Sequence, residues 1–392
     1  MRIFSRFFIT FAMGLDPSPS PYQQTNHFTY LFNVMRLFPI LLFSTCIFSA
    51  AAQTVIELPA DSVLTSIGSK YCYVTDNATG KEIPSQITHD NLLLFAPMGG
   101  YTIHPSDTLH KYAPVCVGRV HPERADDLGW ENDLVGFRAY GPATRRKGER
   151  AYGYDLFFIY SGNEPVVDRL YANSTNPRKK ELIDSVRVNH PEQLAAFSKS
   201  FNLHADHGIG YDCYAVGPTL GDGASAIVRG DSLDFSWCYD KVEILDQGPL
   251  RFTAHLTYYP TDKYTEHRVI TLDKGQRLNR TSVWFEPKGD AVEPLQIAVG
   301  FPLRDDSDVY SNGQVLAYAD PTQGPGNGKA LVGLVLDGQD ANLRKIQDHA
   351  VYTVDLQDPS KPFTYRWGYA WSRVGFPDLP AWASFLNSVA KK

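Results

Sequence analysis

The chain has 392 residues and a formal net charge of −6, and 43% of its residues are hydrophobic and 13% aromatic. This length suits one large or two ordinary domains, and the apolar content is sufficient for a sizeable core. The modest negative charge argues against nucleic acid as a general partner, although a few arginines can still recognise an anionic sugar. Abundant tyrosine, phenylalanine and strand-favouring residues indicate an all-β protein and are common on sugar-binding surfaces.

The first fifty residues have the pattern of a targeting segment. Met35 is followed by an apolar run over residues 37–48 and by small residues up to Ala52. A basic start, a short apolar stretch and small residues before a cleavage site are typical of a secretory signal peptide, and the run is too short to span a bilayer. We expect residues 1–52 to comprise an upstream extension and a signal peptide, with translation starting at Met35 and cleavage after Ala52. The mature chain, residues 53–392, is then exported to the periplasm or the cell exterior without membrane insertion.

From residue 54 onward, short apolar alternations are separated by Gly, Pro, Asn and Asp, which is the pattern of strands and turns. Residues 165–202 form the most helix-like region, and residues 378–389 predict a short C-terminal helix. Several of the strands after residue 233 are long. Because the chain has no internal repeat and no alternating helices, we predict antiparallel sheets packed face to face. Residues 53–392 are therefore interpreted as one large antiparallel β-sandwich with minor helical insertions.

Four cysteines lie in the mature chain: Cys72, Cys116, Cys213 and Cys238. In an exported protein they could form two disulfides, but their spacing indicates no compact disulfide framework and leaves the pairing open. The absence of a Cys-x-x-Cys pair excludes zinc-ribbon and thioredoxin-type sites. Cys213 is interpreted as a small buried residue rather than a nucleophile.

The residue types best suited to catalysis are concentrated between residues 202 and 217. Two imidazoles, two carboxylates and two phenols surround Gly208 and Gly210, namely His204, His207, Asp206, Asp212, Tyr211 and Tyr214. The glycines permit a sharp turn that can direct these side chains toward one point. Histidine and tyrosine can take a proton from carbon or give one to a leaving oxygen. The alternative is a polar turn between two strands.

The same stretch offers a candidate metal site. His204, Asp206 and His207 carry imidazole and carboxylate donors that suit zinc or manganese. Three ligands that are close in sequence need not converge in space. A divalent metal is therefore an option, and no cofactor is required.

A second polar segment, residues 119–141, has the composition of a sugar-binding edge. Trp130 offers a ring for stacking, and Glu131, Asn132 and Asp133 offer groups that bind hydroxyls. The alternative is a turn with solvated acidic side chains. Trp367 and Trp371, near the end of the chain, alternate along a strand and are expected in the core.

Four motifs in order resemble the signatures of a bacterial family known as domain of unknown function (DUF) 4861. They are Glu123 to Asp133 with Phe137 to Pro142, His204 to Gly223, Gly248 to Arg251, and Trp367 to Trp371. They occur in the expected order, and from the first to the last they span most of the mature chain. One departure lies at Tyr154-Asp155-Leu156, where the family more often has a tryptophan-bearing strand followed by Lys-Arg.

This resemblance implies a supersandwich fold related to galactose-mutarotase-like and lyase sandwiches. It also implies a role in the bacterial breakdown of acidic polysaccharides. The implied reaction is β-elimination at a uronic acid, which removes water or a glycosidic oxygen and leaves an unsaturated uronate. We therefore expect a carbon–oxygen lyase, either a uronate oligosaccharide dehydratase or a polysaccharide lyase, with an acidic oligosaccharide or polysaccharide as its substrate.

Elimination requires a group that neutralises the carboxylate, a base, and an acid for the departing oxygen. Three arginines could neutralise the carboxylate. Arg138 is predicted to be a catalytic residue. Arg251 and Arg124 are predicted to bind substrate, and so is Asp212. The alternative for each arginine is an ion pair with Asp126, Asp133 or Asp212. The candidate bases are His204 and His207, and the candidate acids are Tyr214 and Tyr140.

Three other functions remain open at this point. A glycoside hydrolase would use Glu131 with Asp133 or Asp212 as its carboxylate pair. A non-catalytic glycan-binding sandwich would need the aromatic residues but not the histidines. An epimerase or mutarotase-like activity would use the same groups as the lyase.

Overall fold

Antiparallel β-sheets account for most of the computed structural model, which describes residues 55–160, 165–206, 208–261, 263–289 and 292–391. The all-β prediction is confirmed, since every strand pair in the described sheets is antiparallel. The predicted signal region, residues 1–52, lies outside the described residues and stays a prediction. Within the described part of the chain, no helix is long and apolar enough to cross a membrane.

The N-terminal part of the fold consists of two small three-stranded sheets, ordered β1-β5-β4 and β3-β2-β6. Their elements are β1 (Ile56–Pro59), α1 (Ala60–Ser66), β2 (Tyr71–Asp76), β3 (Glu82–Ile83), β4 (Ser85–Ile87), β5 (Leu92–Phe95) and β6 (Tyr101–Ser106). Val74, Leu93 and Phe95 form their shared apolar core. Gln86 accepts hydrogen bonds from the amides of Leu250 and Arg251 at 3.0 and 2.9 Å, which fastens these sheets to the main sandwich.

A five-stranded sheet of order β11-β10-β9-β8-β7 carries most of the predicted site residues. Its elements are β7 (Val117–His121), β8 (Asp127–Glu131), β9 (Gly136–Ala139), α2 (Pro142–Arg146), β10 (Asp155–Ile159), α3 (Val167–Ser174), α4 (Lys179–Asn189), α5 (Leu194–Lys199) and β11 (Gly210–Asp212). The helices α3, α4 and α5 fall in the region predicted to be helical. Strands β8 to β11 are buried along their whole length, so polar side chains on them must find partners inside the protein.

The C-terminal half forms a five-stranded sheet, β13-β12-β18-β23-β22, and an eight-stranded sheet, β14-β15-β16-β17-β24-β21-β20-β19. The strands are β12 (Ser225–Arg229), β13 (Ser232–Phe235), β14 (Lys241–Asp246), β15 (Arg251–Tyr258), β16 (Tyr264–Asp273), β17 (Leu278–Pro287), β18 (Leu295–Pro302), β19 (Val309–Ser311), β20 (Val315–Asp320), β21 (Ala330–Leu336), β22 (Asn342–Ile346), β23 (His349–Leu356) and β24 (Phe363–Trp371). The predicted C-terminal helix is α6 (Leu379–Ala390), and the Asp378 side chain caps its first turn.

The main core lies where these three larger sheets meet. Trp367 on β24 stacks on Tyr154 with ring centroids 4.5 Å apart and meets Trp130 edge-on at 6.4 Å. Trp367 and Trp371 are both buried, as predicted. On the opposite face of the eight-stranded sheet, α6 packs Trp382 and Leu386 against β20 and β21.

All four mature cysteines are buried and free in the structure. Cys213 is therefore a buried thiol, as expected, and burial raises its pKa to about 12. A protonated, inaccessible thiol is a poor nucleophile. None of the four is paired in a disulfide.

The stretch predicted to be catalytic, residues 202–217, contains strand β11. Gly210 opens this strand with φ of +146° and faces Ile159 of β10. A Cβ atom at Gly210 would lie 2.3 Å from the carbonyl oxygen of Phe158. Only glycine permits this approach, so it fixes where the loop before β11 ends.

Candidate active site

A buried charge cluster lies at the centre of the five-stranded sheet. Neighbouring strands bring Arg138 (β9) against Asp155 (β10), and its Nη2 atom also lies 3.1 Å from Asp212 Oδ2 (β11). Its Nη1 atom is 3.9 Å from Asp127 Oδ2 (β8), and Tyr140 donates a 2.8 Å hydrogen bond to Asp155. All of these side chains are buried. One guanidinium thus balances three internal carboxylates.

This arrangement corrects the role predicted for Arg138. Burial alone would lower the pKa of its guanidinium, but neighbouring phenols and the charges of Asp212 and Asp127 more than offset that effect. Arg138 therefore stays charged and is held by internal carboxylates. It cannot also bind the carboxylate of a substrate. We interpret Arg138 as a structural residue that stabilises the buried charge cluster.

The two phenols predicted as acids are also interior groups. Tyr140 is buried with its hydroxyl on Asp155, and burial raises its pKa above the usual value for tyrosine. Tyr214 is 3% exposed, and burial raises its pKa well above that value. Neither hydroxyl faces solvent, so the prediction that they protonate a leaving group is corrected.

His204 is the predicted catalytic residue that does reach the surface. Its side chain is 56% exposed, and its Nδ1 atom lies 3.0 Å from the main-chain oxygen of Asp212 and 3.7 Å from the Asp212 carboxylate. A carbonyl oxygen can only accept, so Nδ1 carries a proton, and the lone pair of the neutral imidazole is then on Nε2. The contact therefore leaves a basic nitrogen available, and Asp212 joins it to the buried cluster. The other predicted base, His207, lies outside the described residues.

Asp206, two residues further on, is held by its own partners. Its Oδ2 atom accepts a 2.8 Å hydrogen bond from the Tyr160 hydroxyl, and its Oδ1 atom accepts one of 2.8 Å from the Gly208 amide. Burial alone would raise the pKa of Asp206, but these hydrogen bonds and the charge of Arg373 bring it below the usual value. The same contact, added to burial, raises the pKa of Tyr160 to about 12. Tyr160 therefore keeps its proton at neutral pH.

Arg373 supplies the exposed guanidinium that the sequence analysis missed. It follows β24, is 38% exposed, and places its Nη1 atom 3.6 Å from Asp206 Oδ2. The same Nη1 donates a 2.9 Å hydrogen bond to the Tyr211 hydroxyl, which donates one of 3.0 Å to Asn327. Among the described residues, Nε and Nη2 of Arg373 make no hydrogen bond, so this edge of the guanidinium can bind a carboxylate. We call Tyr160, Asp206, Tyr211, Asn327 and Arg373 the rim cluster.

The predicted metal site is not assembled by the residues that can be described. Both oxygens of Asp206 have hydrogen-bond partners, and His204 uses Nδ1 on a carbonyl. In the part of the chain that the structure covers, no group of three or more histidine, cysteine or acidic side chains is arranged to hold a metal ion. The described members of the proposed ligand set, His204 and Asp206, therefore give it no geometric support.

Trp130 is a core residue and not a sugar-stacking platform. Its side chain is 1% exposed, its ring packs 5.4 Å from that of Phe137, and its Nε1 atom donates a 2.9 Å hydrogen bond to Asn279. Both ring faces are covered by protein. The predicted role of Trp130 in substrate binding is therefore corrected.

The polar residues after Trp130 fasten the turn between β8 and β9. Asn132 accepts from the Leu134 amide at 2.8 Å and donates to two main-chain oxygens, and Asp133 accepts from the Gly275 amide at 2.7 Å. These bonds join the turn to the loop between β16 and β17. The predicted sugar contacts of Asn132 and Asp133 are replaced by structural ones.

Glu131 caps helix α3 from within a groove. Its carboxylate accepts hydrogen bonds from the amides of Val166 and Val167 at 2.7 and 2.9 Å. It lines a groove of about 410 Å³ together with His121 and Arg119. Burial nevertheless raises the pKa of Glu131 to about 7. This residue was predicted to bind substrate and instead positions a helix.

This pKa gives a testable dependence of stability on pH. A carboxyl group with a higher pKa in the folded state than in the unfolded state stabilises the folded protein when it is protonated. This contribution is complete below the pKa of the unfolded state and is lost as pH rises through the pKa of the folded state. Between about pH 4.5 and 7 we expect Glu131 to reduce the free energy of unfolding by roughly 3 kcal/mol. Urea unfolding of Glu131→Gln should lack this part of the pH dependence. An unchanged pH profile in the variant would contradict the assignment.

The other two candidate arginines do not join His204. Arg251 is buried and pairs with Glu57 and with Asp273, whose Oδ1 atom lies 2.6 Å from its Nε. Arg124 ends the 3₁₀ turn Pro122–Arg124 and is half-buried. Of the described residues expected to meet, His204 and Arg138 both contact Asp212, whereas Arg251 lies elsewhere with Glu57 and Asp273.

Comparison with known proteins gives one family match. A family model described as "Domain of unknown function (DUF4861)" matches residues 49–392. The "Uncharacterized protein P7" of Formosa agariphila is 25% identical over 296 residues, which cover 71% of this chain and 67% of that protein.

Three solved structures are similar to parts of the chain. A putative kojibiose phosphorylase from the human microbiome has 11% identity and a TM-score of 0.35, covering 71% of this chain and 36% of that one. The GH36 α-galactosidase AgaB of Geobacillus stearothermophilus has 12% identity and a TM-score of 0.31, with coverage of 65% and 41%. The heparan sulfate lyase HepC of Pedobacter heparinus has 8% identity and a TM-score of 0.29, with coverage of 66% and 37%. The chain spans less than half the length of each of these structures.

Proposed function

The chain belongs to the DUF4861 family, and on this premise we propose that it is a carbohydrate-active lyase that performs β-elimination at a uronic acid of an acidic oligosaccharide. The product would be an unsaturated uronate, and the leaving group would be water or a glycosidic oxygen. The observation that carries the proposal is the contact of His204 Nδ1 with the carbonyl of Asp212. It presents Nε2 as an exposed base on the loop that also supplies Asp206 to the rim cluster.

Each step of the elimination has a candidate residue. Arg373 would bind the uronate carboxylate through its unpaired edge and stabilise the negative charge that develops there. His204 Nε2 would remove the proton from C5, and the electrons of that bond would form the C4–C5 double bond as the C4–O bond breaks. Tyr160, which is protonated at neutral pH and donates its hydrogen bond to Asp206 in the free protein, would turn its hydroxyl to the departing oxygen and transfer the proton there.

The hydrolase alternative receives less support. It needs two carboxyl groups that face each other across a sugar. Glu131 caps α3, and Asp212 is buried against Arg138. Neither is placed to act as a paired acid and base on a bound glycan.

Incubation with a panel of defined uronate oligosaccharides, followed by mass spectrometry, tests the reaction class. We expect products that together equal the substrate in mass, or a single product that has lost water. Reducing sugar formed with addition of water would indicate a hydrolase. Binding without any change in mass would indicate a glycan-binding protein.

Arg373→Met is expected to lower kcat/KM on an acidic substrate by about 10²–10³-fold, because it removes a preorganised donor from the developing charge. The control is Arg229→Met on β12, which removes an exposed guanidinium that pairs with Asp234. The control should retain wild-type kinetics. Equal activity of the two variants would show that Arg373 does not bind the carboxylate.

Export is part of the same proposal. The signal-like residues 35–52 would deliver the enzyme to the periplasm or the cell exterior, where polysaccharide fragments are available. Amino-terminal sequencing of the secreted protein should find a chain that begins after Ala52. A mature protein that retains Phe28 or Tyr30 would contradict it.

A further inference from the structure

Three buried side chains close to the catalytic stretch have oxygen atoms without hydrogen-bond partners. Asp222 is 0% exposed, and neither of its carboxylate oxygens has a partner among the described residues. The same holds for Asp320 Oδ2 and for the hydroxyl of Tyr214. Buried carboxylates are almost always paired or bound to a metal, so this group of atoms requires an explanation.

The fold brings Asp320 and Tyr214 together. Asp320 ends β20, and three residues later the Gln323 amide donates a 2.7 Å hydrogen bond to the carbonyl of Cys213, the residue before Tyr214. After burial, the charge of Asp320 is the largest electrostatic influence on the Tyr214 phenol. Asp320 and Tyr214 are therefore both buried and close enough to interact electrostatically.

Asp222, on the loop before β12, interacts electrostatically with both Asp320 and Tyr214. Its amide donates a 3.0 Å hydrogen bond to the carbonyl of Tyr154, and the next amide, that of Gly223, donates one of 3.1 Å to Gly300 on β18. A Cβ atom at Gly223 would lie 2.4 Å from the Trp367 ring, so this loop is closely packed. The charge of Asp320 adds to burial in raising the pKa of Asp222.

The nearby guanidinium does not satisfy these oxygens. Arg304 places its Nε atom 3.8 Å from Asp320 Oδ2, which is beyond hydrogen-bond distance. Its Nη2 atom donates instead to the carbonyl oxygens of Ala215 and Val216. Among the described residues, no guanidinium or ammonium group lies within hydrogen-bond distance of the unpaired oxygens of Asp222, Asp320 and Tyr214.

We propose that Asp222, Asp320 and Tyr214 bind a hard divalent cation of the calcium type. All donors are oxygen atoms, which suits calcium and does not suit metals that prefer nitrogen or sulfur. Two carboxylates balance a charge of +2, and calcium accepts irregular geometry with carbonyl oxygens or water completing its shell. The site is separate from the predicted set of His204, Asp206 and His207.

Such a cation would join three parts of the fold. Tyr214 belongs to the segment that follows β11, Asp222 to the loop before β12, and Asp320 to the end of β20. The cation would hold the segment after the catalytic stretch against the main sandwich. Its expected effect is therefore on stability, and it does not depend on the lyase proposal.

The test uses the full chain, purified and desalted, with metal content measured by mass spectrometry and Tm measured with EGTA, Ca²⁺ or Mg²⁺. We expect about one calcium ion per chain, a Tm that falls by several degrees in EGTA, and recovery with Ca²⁺. Asp222→Asn should weaken Ca²⁺ binding at least about tenfold, since it removes a ligand charge. Tyr214→Phe keeps the ring and should weaken binding less.

Asp306→Asn serves as the control, because Asp306 is an exposed acid in the loop after β18. This variant should bind Ca²⁺ like the wild type. The proposal would be overturned if the wild-type protein contained no calcium and if neither EGTA nor Ca²⁺ changed its Tm. A higher Tm in Asp222→Asn with unchanged calcium content would overturn it as well, because that result would identify Asp222 as a protonated buried acid. If Asp222→Asn does not fold, unchanged Ca²⁺ affinity in Tyr214→Phe would also overturn it.

Discussion

Arg138→Met is expected to lower the free energy of unfolding by about 3–5 kcal/mol. The substitution leaves Asp127, Asp155 and Asp212 buried together without the guanidinium with which all three form ion pairs. Their mutual repulsion and lost solvation must then be relieved by protonation or by local unfolding. Urea unfolding of the purified variant measures the loss.

The pH dependence of this loss identifies its cause. Without the guanidinium, the three carboxyl groups should have raised pKa values in the folded protein. The variant should therefore recover stability as pH falls toward the ordinary range for aspartate, because the folded state then binds protons more tightly than the unfolded state. Arg229→Met, which breaks an exposed ion pair, should change stability by no more than about 0.5 kcal/mol. A loss of that small size in Arg138→Met would show that the cluster is not a framework element.

His204→Gln is expected to lower kcat by about 10²–10⁴-fold, the usual contribution of a general base. Because the side chain is largely exposed, the substitution should leave the unfolding free energy close to that of the wild type. The matched control is His190→Gln, which replaces another exposed histidine, at the C-terminal end of α4. Comparable losses of kcat in both variants would argue against His204 as the base.

The fold class could be predicted because its signals are local. Alternating apolar residues between turn residues predicted the strands, and residues 165–202 and 378–389 predicted the helical segments now seen as α3 to α6. The capping carboxylate of Asp378 lies at the first residue of the predicted C-terminal helix. Such patterns depend on neighbours in sequence, so one sequence is sufficient to find them.

The catalytic role of residues 202–217 stays a prediction, and several roles predicted for single residues within and around this stretch are wrong. Polar density alone cannot tell an exposed group from a buried one. Arg138, Tyr140 and Tyr214 have the chemistry of a site, yet the pairing of β8 to β11 places Arg138 and Tyr140 inside, and packing against β20 does the same for Tyr214. Trp130 was assigned to a sugar surface for the same reason. Burial depends on strand register, which composition does not specify.

The rim cluster could not have been assembled from sequence. Arg373 lies just beyond the fourth motif, Asn327 lies in a glycine-rich loop, and Tyr160 follows β10. No shared spacing links them. They meet because β10 pairs with β11 and because the segment after β24 returns to the loop before β11. Only the three-dimensional structure brings the Arg373 guanidinium, whose Nε and Nη2 make no hydrogen bond to described residues, next to Tyr160 and Asp206.

The most direct test of the proposed elimination is ultraviolet absorbance during incubation with a uronate oligosaccharide that the wild-type protein converts, with His204→Gln run in parallel. We expect the wild type to produce a rising signal from the new C4–C5 double bond. His204→Gln should bind the same oligosaccharide and produce the signal at least about a hundredfold more slowly. A wild-type rate in His204→Gln, or conversion by the wild type without any double bond, would contradict the assignment of His204 as the base of a lyase.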